Sequence, residues 1–498
     1  MIPPFKTQTA APAPSLRSVQ ADLARRMAGP QRHRLLQGYP QVALMRSSDP
    51  QRGARKAREL VLSDDRALIV GVLPHPFCNP QVRGCGFCTF PHQPYRGDDA
   101  RETVRHVIAE VAARTRHRPE FGPGLRGREV EALYFGGGTA NLTPPDAFAE
   151  LGASLAEAFD LRRAELSLEG APIYFLSRHQ AILDAFAGIP ARHRRLSMGV
   201  QTFDPAWLAR MGRAHFGERE QVAEVVRAAH ARGMTVSCDL MINLPGQGWE
   251  DQQRDLETAL SLGFDQVCVY HLVLFRGVGT EWAKDPELLG QLPDNALACE
   301  NWRRARAFLL EAGFVQASLT NFERGALHQS ERRFRYEELS FTPHASDAVG
   351  FGPAAISLTH HEVVCQQQTV KQVNLSDAAA YRAAVAAHGA ADARDFVYAF
   401  EDRELLHLTR TLPRLAVDRT IYRSEFGADL TQSFATELRA LEQAELVRLD
   451  PDALRLTERG MFYADSVAGL LAQRRVTRLR SRRRLPSGSN DAGPVHMG

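Results

Sequence analysis

Three of the seven cysteines of this chain, Cys78, Cys85 and Cys88, fall within eleven residues of the stretch Val72–His92 (VLPHPFCNPQVRGCGFCTFPH). No other feature restricts the fold as much, because a chain that uses these thiols together must bring them to one place. A Cys-x-x-Cys pair with a third thiolate nearby in a glycine-containing loop has the spacing of a metal site, since soft thiolates hold zinc or iron–sulfur clusters. Structural zinc takes four ligands, and beyond Cys88 only His92 stands at ligand spacing. Three thiolates on a four-iron cubane would instead leave one iron open for a substrate or cofactor.

The chain's 498 residues are enough for two or three domains with buried cores. A net charge of +3 makes no electrostatic case for nucleic acid as a partner. Only four of the 61 lysines and arginines are lysine, a skew that reflects base composition more readily than function. No apolar core of a signal peptide and no run of about eighteen apolar residues is found, so no membrane partner is expected. A cytoplasmic protein with reduced thiols is the expectation, and there clustered cysteines point to a metal or redox centre. Cys238, Cys268, Cys299 and Cys365 sit in apolar surroundings and read as core residues.

Residues 1–65 read as a partly flexible lead-in packed outside the main domain. Arg66–Leu73 is a continuous apolar run, as expected of a buried strand that delivers its C-terminal end into the cysteine loop. Strand patterns follow at Glu131–Phe135, Glu165–Glu169, Arg195–Gln201, Thr235–Leu244 and Gln266–Leu274. Helical patterns stand between them, at Arg101–Arg114, Pro144–Phe159, Leu176–Gly188, Glu218–Gly233 and Glu250–Leu262. Such alternation predicts an α/β fold, a partial (β/α)6 TIM-like barrel over residues 66–360 with its chemistry at the strands' C-terminal ends. From about Asp392 the pattern turns helical, then helix, two short strands and helix, the outline of a small winged-helix-like domain over 390–472. Residues 473–498 read as a basic, then polar, solvated tail.

Taken together, Cys78…Cys85-Gly-Phe-Cys88, Gly136-Gly-Gly-Thr139, Ser197-Met-Gly-Val-Gln201, Gly212-Arg-Ala-His215 and Asp239-Leu-Met-Ile-Asn-Leu-Pro245 resemble the radical S-adenosylmethionine superfamily. More narrowly, the set resembles the branch of the oxygen-independent coproporphyrinogen III oxidases, HemN-like proteins, from about Val72 to Ile356 and more weakly through the C-terminal domain. The resemblance implies a 4Fe–4S cluster on Cys78, Cys85 and Cys88. S-adenosylmethionine would chelate the open iron and, on one-electron reduction, give a 5′-deoxyadenosyl radical. It further implies a reductant such as flavodoxin or ferredoxin. Gly137, Glu169 and Ile356 match positions that hold this first cofactor. Members of the branch can hold a second S-adenosylmethionine, and Phe87, Gly138, Thr139, Gln201, Arg213, Asp239 and Val273 match that second site. A glycine turn lets backbone groups approach a ligand that side chains would block. An arginine there can pair a carboxylate bidentately.

The chain also departs from the branch's pattern. Six residues, Asn79–Gly84, separate the first two cysteines where three are usual. Val72 stands where a tyrosine is frequent, Pro74 replaces a histidine next to His75, Phe90 replaces an additional cysteine, and Ala140 replaces a proline. These departures weigh against coproporphyrinogen as substrate. The leading expectation is therefore a class C methyltransferase that uses two S-adenosylmethionines on a small or carrier-bound specialised metabolite. The alternatives are a tetrapyrrole-modifying oxidase and, from a different class, a haem-binding carrier. His215 stands even between a structural hydrogen bond and a site role, whereas His271 and the pair His360-His361 read as structural.

Overall fold

The computed structural model describes residues 15–32, 38–48, 62–63, 65–79, 85–116, 124–363 and 366–482. Its centre is a run of parallel strands: β1 (Ala67–Val72), β2 (Ala132–Phe135), β3 (Glu165–Gly170), β4 (His193–Gln201), β5 (Thr235–Ile242) and β6 (Gln266–His271), with β7 (Ser346–Phe351) added in parallel on the outer side of β1. The central strands are deeply buried, as in β5, where every residue is buried. α1 (Leu16–Ala28) precedes the sheet, and the helices that alternate with or follow its strands are α2 (Gly97–Thr115), α3 (Pro145–Ala158), α4 (Pro172–Ala187), α5 (Arg219–Ala231), α6 (Trp249–Ser261) and α7 (Asn295–Glu311).

The six sequence-derived strands all form, with ends displaced by a few residues. Their pairing sets Val72 opposite Phe135 and Phe135 opposite Leu168, so that the C-terminal ends lie side by side. Among the described residues the hydrogen-bonded ladder is open. It is continued beyond β7 by the antiparallel strands β8 (Ile356–Val363), β9 (Gln366–Asn374) and β10 (Asp392–Val397), and beyond β6 by Asn321–Arg324 and Phe314–Gln316. β10 differs from the helical pattern expected after Asp392, because its partly buried residues carry no strong period. Arg335–Ser340, without visible periodicity in sequence, is a short helix that packs Tyr336 and Leu339 on Ile69 and Ala132.

The C-terminal part places α8 (Phe400–Thr411), α9 (Ala435–Gln443) and α10 (Ala464–Arg482) around a small sheet of Ala416–Asp418, Ala453–Leu456 and Val447–Leu449. α1 packs on α9 and α10. Arg474, Arg475 and Arg478, read above as part of a solvated tail, instead belong to α10 and pair with Glu437, Asp402 and Glu401. Acidic partners on α8 and α9 face them, which no local pattern reveals. Residues 483–498, most of 1–65 outside α1, and Cys365 lie beyond the described residues. Cys238, Cys268 and Cys299 are buried, as expected. No described helix is long and apolar enough to cross a membrane.

Candidate active site

Two neighbouring cavities open at the C-terminal ends of β1–β5. The first is lined by Cys78, Cys85 and Cys88 together with Phe87, Gly138, Thr139, Gln201, Arg213 and Phe216. The second is lined by Ile356, Asp239, Tyr134, Tyr336, Arg195 and Arg410. Gly137 and Glu169 line both. Of the residues matched by resemblance, only Val273 lines neither cavity; it packs in an apolar cluster with Leu272 and Trp282.

The Gly136–Thr139 turn needs its glycines. Gly137 has φ +120°, a conformation that strains any side chain. A Cβ on Gly138 would lie 2.6 Å from the Phe77 carbonyl oxygen, so that only glycine lets this turn press against the segment leading into Cys78. Gly86 is held similarly by Trp282, whose backbone N–H donates to the Gly86 carbonyl at 2.9 Å and whose ring meets Phe87 edge-on with centroids 5.6 Å apart. Trp282 was not visible as a site residue in the sequence, since it lies in a loop with no motif. It closes one side of the cysteine loop with an apolar wall.

Both anchored sulfurs receive donors. The Thr139 hydroxyl donates to Cys78 Sγ at 3.5 Å, and an Arg213 Nη1–H donates to Cys85 Sγ at 3.1 Å. Arg213 also donates to the Gly199 carbonyl and lies over the Phe216 ring at 4.4 Å. Burial pushes the Cys78 thiol up to about 12 and the Cys88 thiol to about 11, with neighbouring thiols adding to the rise and Arg213 opposing it. Cys78 and Cys88, which resist deprotonation alone, are stabilised as thiolates by a cationic group, which gathers the sulfurs and releases their protons. Among the described residues no three His, Cys, Asp or Glu side chains close on a single point as one metal ion requires. Thiolates on a polynuclear cluster each bind a different iron and need a wider cradle. The donor set and the glycine-walled space beside it fit an iron–sulfur cluster with a cofactor next to it.

Glu169 ends β3 and accepts from the Tyr134 hydroxyl at 2.9 Å. Tyr134 is a further residue that the motifs did not single out, although its alternation in Glu131–Phe135 puts it on the face shared with neighbouring strand ends. Asn141 braces the end of β3 by donating to the Ala171 carbonyl at 2.8 Å and accepting from its N–H at 3.2 Å. Gln201 has φ 73° at the end of β4. The next residues are pinned by Asp255 of α6, which accepts from Thr202 Oγ1 and from the Phe203 N–H, each at 2.7 Å. Buried Asp239 stands on the cavity-facing side of β5. His271 contacts Asn243 at 3.0 Å and packs on Phe462; His360 pairs with Asp347, and His215 is exposed. None of these histidines lines either cavity.

The family model of the radical SAM superfamily matches residues 72–259, and that of the HemN C-terminal domain matches 416–463. Bovine radical S-adenosyl methionine domain-containing protein 1, mitochondrial, is 33% identical over 255 residues, 51% of this chain and 54% of that protein. The chain thus spans about half the length of that relative, and 58% of its mouse counterpart. The oxygen-independent coproporphyrinogen III oxidase of Bradyrhizobium diazoefficiens is 28% identical, covering 79% of this chain and 84% of the oxidase. The heme chaperone HemW of Haemophilus influenzae is 26% identical over 48% of this chain and 59% of the chaperone. Among solved structures, coproporphyrinogen III oxidase (HemN) from Escherichia coli superposes with a TM-score of 0.69 at 20% identity, covering 90% of this chain and 98% of that one, which establishes the fold. The radical SAM and HemN C-terminal domain matches, the Bradyrhizobium relative and the shared fold support a HemN-like branch of the radical S-adenosylmethionine superfamily for this chain.

Proposed function

We propose that this chain is a radical enzyme that holds two S-adenosylmethionines beside one cluster and transfers a methyl group to an sp²-hybridised carbon of a small or carrier-bound substrate. The observation that carries the reading is the pairing of two adjoining cavities. One gathers the thiols with Phe87, Gly138, Thr139, Gln201 and Arg213, the other holds Ile356 and Asp239, and Gly137 and Glu169 form their common edge. When bound, the cluster and its first cofactor supply a carbon-centred radical able to abstract hydrogen.

The chain's own residues bind and orient. Gly137 and Gly138 admit a ligand to backbone distance, and the Glu169 carboxylate, oriented by Tyr134, accepts from an amine or ribose hydroxyls. Arg213 is suited to a cofactor carboxylate, a pairing that would compete with its bond to Cys85 Sγ. Phe87 and Trp282 keep water from the cysteine loop, which strengthens the polar contacts within it.

A second reading, oxidation of a coproporphyrinogen-type tetrapyrrole, is favoured by coverage of 84% of the Bradyrhizobium oxidase. Anaerobic reconstitution followed by turnover with methyl-labelled S-adenosylmethionine separates the two. Methyl transfer puts label in the product and yields S-adenosylhomocysteine with 5′-deoxyadenosine. Formation of 5′-deoxyadenosine alone, with no label transferred, overturns the methyl-transfer reading.

A further inference from the structure

Arg410, in the last turn of α8, comes from the C-terminal part of the chain yet lines the second cavity of the α/β part. It is buried, with 9% of its surface exposed. Among the described residues its guanidinium has no acidic partner, and its Nε has no hydrogen-bond partner at all. The carboxylates on its own helix are committed elsewhere: Asp402 to Arg475 and Tyr39, and Glu404 to Tyr422 and Ser433. Its neighbours of opposite tendency are two tyrosines, Tyr336 and Tyr398. Lys371, buried on β9, donates to the Gly38 and Pro40 carbonyls, and burial lowers its ammonium to about 7, with Arg410 adding to the fall.

A buried arginine without a counter-charge costs several kcal/mol unless an anion joins it. Glu169, Asp239, Glu337, Arg195 and Arg410 supply the charged groups of the cavity wall, and the tilted rings of Tyr134, which donates to Glu169, and Tyr336 lie 5.1 Å apart on it. Leu73, Phe90, Phe334 and Phe341 line much of the rest.

We infer that Arg410 is a substrate-recognition residue, and that the second cavity takes an apolar or aromatic molecule whose carboxylate pairs with its guanidinium. A planar fork with free N–H groups suits a carboxylate bidentately, and the apolar walls suit the body that carries it. The inference rests on the radical-enzyme reading in taking only the Arg410 side of this cavity as substrate space, next to the cofactor assigned to Gly137, Glu169 and Ile356. It makes the C-terminal part a contributor to specificity.

The test uses the full reconstituted chain as wild type, R410M and R410K. Thermal unfolding is followed with 3-phenylpropionate, its neutral amide, inorganic phosphate and S-adenosylmethionine, at fixed ionic strength. The wild type should gain about 1–3 °C with saturating phenylpropionate and nothing with the amide. R410M should lose that gain while unfolding without ligand no lower than the wild type, and R410K should keep part of it. Three outcomes overturn the inference: phenylpropionate protection that survives R410M, no protection of the wild type, or protection by S-adenosylmethionine alone that R410M abolishes. An equal response to phosphate would replace the carboxylate with a phosphate group and likewise overturn it. Iron content and cofactor binding of the wild type, measured in parallel, report separately on the radical-enzyme reading.

Discussion

Cys78 and Cys88 sit where burial opposes the thiolate form that their task requires, and the first cavity answers with donors from Thr139 and Arg213. Any one of C78A, C85A or C88A should abolish cluster loading, read as loss of iron and of the visible absorbance of the reconstituted protein. G138A tests the turn independently. A methyl group 2.6 Å from the Phe77 carbonyl forces backbone apart, and iron loading should fall although no ligand is removed. A different residue-scale effect belongs to Glu165, at the start of β3. Burial raises its carboxyl to about 7, against the opposing influence of Arg195 and of bonds from the Arg335 N–H and Ser167. Because its folded pKa lies above the unfolded one, its protonated form favours folding below about pH 4.5, and that contribution is lost as pH rises through 7. E165Q should therefore flatten the decline in stability between pH 5 and 8, by a few kcal/mol in the difference between variant and wild type, as measured by denaturant unfolding across that range.

At the scale of elements, strand ends carry the site and helices hold the strand ends in place. Asp255 is the clearest case: from α6 it fixes the turn immediately after Gln201 through two bonds of 2.7 Å. D255A leaves a buried hydroxyl and a backbone N–H without an acceptor, at a cost of about 1–3 kcal/mol each. S-adenosylmethionine affinity should fall about tenfold while iron content stays at the wild-type level, which equilibrium binding and iron assay together determine. The six central strands were legible because parallel strands buried on both faces read as apolar runs between helical periods. β10 and Arg335–Ser340 were not, because their partly buried, mixed residues gain order from packing on the sheet rather than from their own pattern.

For the whole molecule, the Asp402 carboxylate ties three distant segments together. It accepts from Arg475 of α10 at 2.8 and 2.6 Å and from the Tyr39 hydroxyl at 2.6 Å, and it is itself fully buried on α8. D402A strands the Arg475 guanidinium in the interior and should cost about 3–5 kcal/mol. E401A, removing a largely exposed partner of Arg475 and Arg478, should cost less than about 1 kcal/mol. The contrast between the two variants in chemical unfolding tests whether the C-terminal helices are clamped at this one buried point.

The sequence by itself determined the alternating α/β architecture, the three-thiol centre and the glycine turn beside it. Each is written in local spacing, where periodicity, side-chain chemistry and backbone freedom act over a few residues. Only the tertiary structure decided that Tyr134 and Trp282 support this site, that Val273 stands outside both cavities, and that Arg410 reaches the cavity from a helix more than three hundred residues beyond the cysteines. Those contacts depend on which distant segments the closed fold lays against one another. A lone arginine or tryptophan carries no mark of what it will face until packing has removed the water around it.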